Sequence, residues 1–362
     1  HIDIPIRLTR DSTYNLLEGH ISNKGKTDFP RMDKGGLDAA FFIVWTEQKE
    51  RTVNGNKLAN EKANQIIDVI KSRVANSSSK AELAFSINDI MRINNENKHP
   101  ILIGMENGYP IGNDILQIEH FFNSGIRYLT LCHTKDNDIC DSSTDESEDE
   151  GLTSFGMEVI KELNRLGIIV DVSHISDSSF YDVIKLSKTP VIASHSNVRS
   201  LCNHPRNMTD DMIKLLAQNG GVIHINFVDE YVKTPEPHRE RDSVIALIKN
   251  KYNDNSTTDA EKEILYKQWD EINTLYPSKL ATLNDVIDHI DYVVKLVGID
   301  HVGIGSDFDG GGRVDGIIDV SEMGNITKAL FKRGYSIKDI HKIWSGNFLR
   351  VFNEVEQYSK NN

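Results

Sequence analysis

A short β-branched run recurs eight times in this chain, each time ending in polar residues or glycine and giving way to helix-period sequence. The runs are HIDIPIRL at 1–8, LDAAFFIVW at 37–45, PILIGME at 100–106, IRYLTLCH at 126–133, IIVDVSH at 168–174, PVIASH at 190–195, GVIHINF at 221–227 and HVGIGSD at 301–307. Near-continuous apolar runs suit strands covered on both faces, which is the condition of a parallel sheet with helical crossovers. Between the fifth run and its predecessor, Phe155, Val159, Ile160, Leu163 and Leu166 recur at helical spacing, and Gly167 supplies a stop. Thr209 is placed to cap the helix that opens TDDMIKLLAQ, with Asp210 and Asp211 in its first turn. Eight such units joined by right-handed crossovers predict an α/β fold, a (β/α)8 TIM barrel with helical insertions, spanning 1–362 as a single domain. A doubly wound open sheet is the alternative. No glycine-rich dinucleotide fingerprint follows the first run, which argues against its Rossmann form.

Three regions interrupt the alternation. Residues 46–98 read as extra helical material after the second run, and 136–150 (DNDICDSSTDESEDE) as a solvated acidic loop. That loop lacks the glycine that a calcium-binding loop needs at its sixth position. Residues 233–280 form a polar insertion placed to act as a lid or side wall over the mouth of the barrel, with peripheral decoration as the alternative. Acidic residues outnumber basic ones, 54 to 41, for a formal charge of −13. That balance repels phosphate backbones and anionic membranes, so no nucleic acid is expected, and a small substrate is the better default. No apolar run approaches the ~20 residues of a membrane span. Cys132, Cys140 and Cys202 cannot all pair and form no CxxC. The chain opens at His1 without a methionine, which reads as a longer precursor. Export, periplasmic or extracellular, is favoured over a cytoplasmic location.

The chemistry lies where polar residues fall on the runs. His1 and Asp3 form an HxD pair on one strand face; Glu106, His133, His174, His195 and Asp307 end the third, fourth, fifth, sixth and eighth runs. Catalytic groups of barrel enzymes occupy these carboxyl ends, where the strand tips converge. Singly, each has a duller reading: a hydrogen-bonded core histidine, a frayed terminus, an aspartate shaping the DFDG turn. Six strands aiming such groups into one mouth make those readings hard to hold together. Imidazole with carboxylate and no thiolate suits Zn²⁺, and the donor count exceeds one tetrahedral ion, fitting a pair ~3.5–4 Å apart. His204, His224, His289 and His301 lack motif context and are read as structural.

HIDIP, GMENGYPIG, RYLTLCH, GMEVIKELNRLGIIVDVSHISD, PVIASHSNVRSLCNHPRNMTDDMI, HVGIGSDFDG and GNFLRVFNEVE together resemble the membrane dipeptidase (renal dipeptidase) family of zinc metallopeptidases, of the amidohydrolase type, over nearly the whole chain. The resemblance implies a zinc-dependent dipeptidase that cleaves free dipeptides with a metal-bridging hydroxide. It implies two zinc ions per chain, one on His1 and Asp3, the other on His174 and His195, with Glu106 between them. His133 would sit beside the substrate carbonyl, Arg206 would grip the substrate carboxylate, Tyr231 would line the pocket, and Asp307 would be the catalytic acid. The family's HxD normally follows a few strand residues and an acid, whereas this chain starts at the histidine. The disulfides and lipid anchor of mammalian members have no counterpart here, so membrane attachment does not carry over. The resemblance leaves a homodimer open. Two other readings stand: an amidohydrolase of another small amide, lactam or lactone, and a metal-bearing binding module without catalysis.

Overall fold

The computed structural model describes residues 1–146, 151–252, 261, 264–265, 267–268, 271–272, 275–276 and 279–362. Seven of the eight runs form strands: β1 (Ala40–Trp45), β3 (His99–Glu106), β4 (Ile126–Thr130), β5 (Ile169–Asp171), β6 (Ile192–Ser196), β7 (Val222–Ile225) and β8 (Val302–Ile304). The remaining strand, β2 (Ala81–Leu83), lies in the region expected to be helical, between the helices Val53–Asn76 and Ile87–Asn95. It pairs in parallel with the start of β3.

The opening run is the other correction. Ile4–Arg10 is a helix with Pro5 in its first turn, where a missing N–H costs nothing. Only Ile2 behaves as strand, and it bridges in parallel to Phe42 on one side and Phe308 on the other. The sheet runs β1-β3-β4-β5-β6-β7-β8, every pair parallel, and curves as a half-barrel of the TIM-like kind.

Register decides which side chains look inward. Phe41 pairs with Leu102, Ile43 with Gly104 and Trp45 with Glu106, so strand alternation sets Leu102, Gly104 and Glu106 on one face. Below the carboxyl ends, Ile43, Leu102, Tyr128, Ile169, Ile192 and Val222 pack with Val351, Phe352 and Val355 of the helix Asn347–Asn361. A larger apolar cluster fills the layer between sheet and outer helices. Gly104 is required here, because a Cβ would overlap the Tyr128 ring.

The expected helices form as capped. Ser154–Leu166 begins at Thr153, whose hydroxyl accepts from Gly156 N–H, and ends on Gly167 at φ 82°. Thr209 accepts from Met212 N–H. The acidic loop differs from expectation. Asn137, Cys140, Asp141 and Ser142 are buried, because their polar side chains serve the loop's own backbone: Asp136 accepts from Ser142 N–H at 2.6 Å and Asn137 from Ile139 N–H at 2.8 Å. Residues 147–150 of that loop lie outside the described residues, as does much of 233–280. The insertion is described as a helix at Arg239–Tyr252 and scattered positions beyond it. The three cysteines are buried and free. No helix among the described residues is long and apolar enough to cross a membrane.

Candidate metal centre

The strands are shorter than the runs, so most of the polar groups stand just past the strand ends. Glu106 closes β3, His195 lies within β6, and His133, His174 and Asp307 each follow their strand by three residues. His174 and Asp307 sit at φ 74° and 60°, a region that non-glycine residues rarely adopt. His1 and Asp3 flank Ile2, anchored where Asp3 N–H donates to Phe308 O and Asp307 N–H to His1 O.

Glu106 is the hub. Its Oε1 lies 3.0 Å from His174 Nε2, 3.1 Å from His195 Nε2 and 4.0 Å from His133 Nε2, and its Oε2 3.7 Å from His1 Nε2. His1 Nε2 lies 3.3 Å from Asp3 Oδ2. Three overlapping groups have ligand atoms close enough to share an ion: His1, Glu106 and His195; Glu106, His133 and His174; His1, Asp3 and Asp307.

These donors fit a metal. His1 Nε2, both Asp3 oxygens and His174 Nδ1 are buried without a hydrogen-bond partner. The Nε2 atoms of His174 and His195 approach to 2.9 Å beside a carboxylate oxygen. Such a concentration of unpaired acceptors is expensive unless a cation sits among them. Imidazole and carboxylate donors match Zn²⁺ and similar divalent ions.

A hydrogen-bond relay behind the centre orients two imidazoles. Ser194 Oγ donates to Asp171 Oδ2 at 2.6 Å, so it accepts from His195 Nδ1 at 2.7 Å and leaves His195 Nε2 as a lone pair aimed at Glu106. Tyr128 OH lies 2.7 Å from His1 Nδ1. A cation on His1 Nε2 would leave the ring proton on Nδ1, where Tyr128 OH is placed to accept it. Thr130 Oγ donates the further bond to Asp171. Tyr128, Asp171, Ser194 and Asn226, which donates to Asp307 Oδ2 at 3.2 Å, were missed by motif reasoning. A carboxylate inside the apolar run IIVDV was the one available signal.

Burial dominates the titration of the site. Among the protein's own groups, burial and then the Asp3 charge push Asp307 up to about 7. Burial also raises Glu106 well above the carboxylate range, against the pull of His1. For His1, burial alone would lower the value, but Asp3 and Glu106 lift it to about 10. Burial, helped by Arg206, holds His133 down to about 3, and burial depresses His174 and His195. Arg206 is buried, donating to His195 O at 2.9 Å and Ser196 Oγ at 3.4 Å; its Nε has no partner, and its guanidinium lies 5.6 Å from the centre of the Tyr231 ring. The structure therefore brings together His1, Asp3, Glu106, His133, His174, His195 and Asp307, and sets Arg206 and Tyr231 beside them. Of the histidines read as structural, His289 Nε2 bonds Val232 O, His224 Nδ1 bonds Ala193 O and His301 Nδ1 bonds Gly221 O, while His204 packs against Tyr231 with ring centroids 4.5 Å apart.

Imidazoles and carboxylates gathered around one shared glutamate at the carboxyl ends of parallel strands define a metal-dependent hydrolase site. The chain belongs to the membrane dipeptidase family, peptidase family M19, whose sequence profile matches residues 1–362; its members are metallopeptidases acting on dipeptides. It is 32% identical over 338 residues to Dipeptidase tcpJ of Claviceps purpurea (strain 20.1), covering 92% of this chain and 70% of that protein. It is 29% identical over 365 residues to Dipeptidase 3 of Mus musculus, covering 99% of this chain and 64% of that one, so it spans under two thirds of the mouse protein. Among solved structures, the probable dipeptidase PvdM from Pseudomonas aeruginosa matches at TM-score 0.82 and 31% identity, over 92% of this chain and 90% of that one. A metallo peptidase from Rhodobacter sphaeroides, liganded with a phosphinate mimic of the dipeptide L-Ala-D-Ala, matches at TM-score 0.79 over 98% and 97%; at 21% identity it speaks to the fold alone.

Proposed function

We propose that this chain is a zinc-dependent dipeptidase that hydrolyses free dipeptides at a centre of two zinc ions. His1 and Asp3 would hold one ion, His174 and His195 the other, and Glu106 would lie between them. The observation that carries the reading is the position of Glu106: one carboxylate oxygen meets His174 and His195 while the other faces His1. When bound, the metal pair supplies a water acidified toward neutrality and takes up charge on the scissile carbonyl.

The chain's own residues do the rest. Asp307, held near 7, is suited to accept a proton from the attacking water and return it to the departing nitrogen. Asn226 fixes that carboxylate by its bond to Oδ2. His133 stays neutral at pH 7 and lies at the partly open edge of the site, where an N–H can meet the carbonyl oxygen. One such donor is typically worth ~3–4 kcal/mol. Arg206, with an unpaired Nε, would take the substrate's terminal carboxylate through its planar fork, with Tyr231 against it. Ile2 bridging both Phe42 and Phe308 supports a barrel closed through the opening segment, as a single domain.

The deciding experiment is turnover of L,L-, L,D- and N-blocked dipeptides by zinc-reconstituted protein, with zinc counted per chain. Cleavage of free but not blocked dipeptides at two zincs per chain is the expected result. Folded, metal-loaded protein that cleaves no free dipeptide would leave the binding-module reading. Equal activity on lactams or amides without a carboxylate would shift the assignment to another amidohydrolase, since Arg206 would then have nothing to grip.

A further inference from the structure

Behind the metal centre the sheet encloses a cavity of about 150 Å³ that the hydrolytic chemistry does not use. Its walls are apolar, with Phe41, Leu102, Ile192 and Ile304 from the strands and Trp344 and Phe348 from the C-terminal segment. Tyr128, Ser194, His224 and His1 form its polar end. It shares Ala39, Ile90, Trp344, Ser345 and Leu349 with an outer groove of about 1390 Å³, so it opens to the surface. Ala39 and Ala40 lie at the start of β1, whose other end, Trp45, pairs with Glu106. The opening is thus at the opposite end of the sheet from the metal centre. Trp344 and Ser345 belong to a π-helical turn, Lys342–Gly346, an irregularity that often marks functional sites.

We propose that this cavity is a binding site for a small flat aromatic molecule carrying one hydrogen-bond donor, of the phenol or indole class. Size sets the body of the ligand, because ~150 Å³ is the volume in which an apolar cavity takes up benzene. Chemistry sets the single donor. His224 Nδ1 faces the carbonyl of Ala193 at 3.2 Å, and a carbonyl only accepts, so the ring proton is on Nδ1 and Nε2 carries a lone pair. Burial holds this imidazole down to about 4, which keeps it neutral at pH 7. Its Nε2 makes no hydrogen bond among the described residues, and the ring lines the cavity, 6.0 Å from the Phe348 ring. The other polar groups are committed: Ser194 is bonded to Asp171 and His195, and Tyr128 OH to His1 Nδ1. One unsatisfied acceptor in an apolar chamber selects a ligand with one O–H or N–H over its hydrocarbon isostere.

The test is a titration of the zinc-loaded full chain with phenol and with toluene, followed by calorimetry and by tryptophan fluorescence. Saturable phenol binding with a Kd on the order of 10⁻⁴ M is expected, with toluene about tenfold weaker. His224→Leu should erase the preference for phenol. Ala39→Phe and Ser345→Trp, both at positions open to solvent or partly so, should block the opening and weaken phenol by about tenfold or more. These two variants carry the test if His224→Leu does not fold. Non-saturable binding, equal affinity for phenol and toluene in the parent, or unchanged affinity in both blocked variants would overturn the proposal. So would displacement of phenol by a dipeptide, which would put it in the catalytic mouth.

Discussion

Tyr128→Phe removes one oxygen and leaves the rest of the centre in place, so its effect isolates the relay behind His1. The Tyr128 ring packs on Phe41 at 4.8 Å between centroids and lies over Gly104, and a phenylalanine keeps both contacts. What disappears is the hydroxyl 2.7 Å from His1 Nδ1. His1 Nδ1 is then a buried donor without a partner, a loss of ~1–3 kcal/mol. The Nδ1–H held by the hydroxyl is also what leaves Nε2 free as a ligand, so the penalty falls on metal binding. At 1.4 kcal/mol per factor of ten, the tighter and looser bounds give roughly 5- to 150-fold weaker binding. That brackets the ~10–100-fold loss usual for groups that orient a ligating histidine. Competition against a chromophoric zinc chelator reads this directly. One of two sites should weaken, and saturating zinc should restore most of the turnover. Tyr109→Phe is the control, because it also deletes a buried hydroxyl, one donating to Glu50 O at 2.6 Å, away from the centre. If both variants lose the same unfolding free energy and Tyr128→Phe keeps both zinc affinities within about twofold, the relay has no such role.

Asp307→Asn should keep both metals bound and lower kcat by ~10²–10⁴, the range for a lost proton carrier; a change under about tenfold would remove it from the mechanism. Arg206→Ala should cut kcat/KM for free dipeptides by on the order of 10²-fold while leaving residual cleavage of C-terminally amidated substrates within a few-fold, measured side by side. Stability should carry an acid signature from His224. Its imidazole is held down to about 4 by burial, against an ordinary value of 6.5, so the unfolded chain binds a proton first as pH falls. The folded state keeps its full advantage above about 6.5 and loses it between there and about 4, by up to ~3 kcal/mol. Urea midpoints at pH 7.5 and 4.5 should therefore differ less in His224→Leu than in the parent; an equal drop in both would place the acid sensitivity elsewhere.

Much of this was readable from local pattern because the apolar runs carry a period-two signal once their inward partners are known. Leu102, Gly104 and Glu106 are alternate residues of one run, and Glu106 is the only acid on it. Helix limits at Gly167 and Thr209 follow from caps that act over three or four residues. The failures share a cause. HIDIPIRL has strand composition, yet Ile4–Arg10 coils into a helix, and only the paired neighbours on either side of Ile2 could reveal which residue is strand. The acidic run 136–150 reads as solvated because its composition is polar, yet its first part, 136–142, is buried or half-buried. Its burial depends on backbone N–H groups brought to Asp136 and Asn137 by the turn itself. Tyr128, Ser194 and Asn226 were missed for the same reason. A tyrosine or serine in a strand becomes an orienting group only when three different strands set it against an imidazole.

The backbone at the centre points to a final connection between strain and ligand placement. Among the described residues, five non-glycine residues have positive φ, and three of them, Asn107, His174 and Asp307, follow the ends of β3, β5 and β8. A left-handed residue costs roughly 1–2 kcal/mol outside glycine, so these positions persist only if their surroundings hold them. The restraints are visible. Asp307 O accepts from Gly310, Gly311 and Gly312 N–H, and His174 O accepts from Ser143 N–H at 2.7 Å. A Cβ at Gly310 would collide with the carboxylates of Asp307 and Asp3, so glycine there is what lets the two acids approach each other. That approach contributes to the raised proton affinity of Asp307. The abrupt turns after the strands thus point an imidazole and an acid back over the sheet toward Glu106, where a relaxed continuation would carry them outward. The same hydrogen-bonded loops that absorb the strain fix the Asp307 carboxylate beside His1 and Asp3.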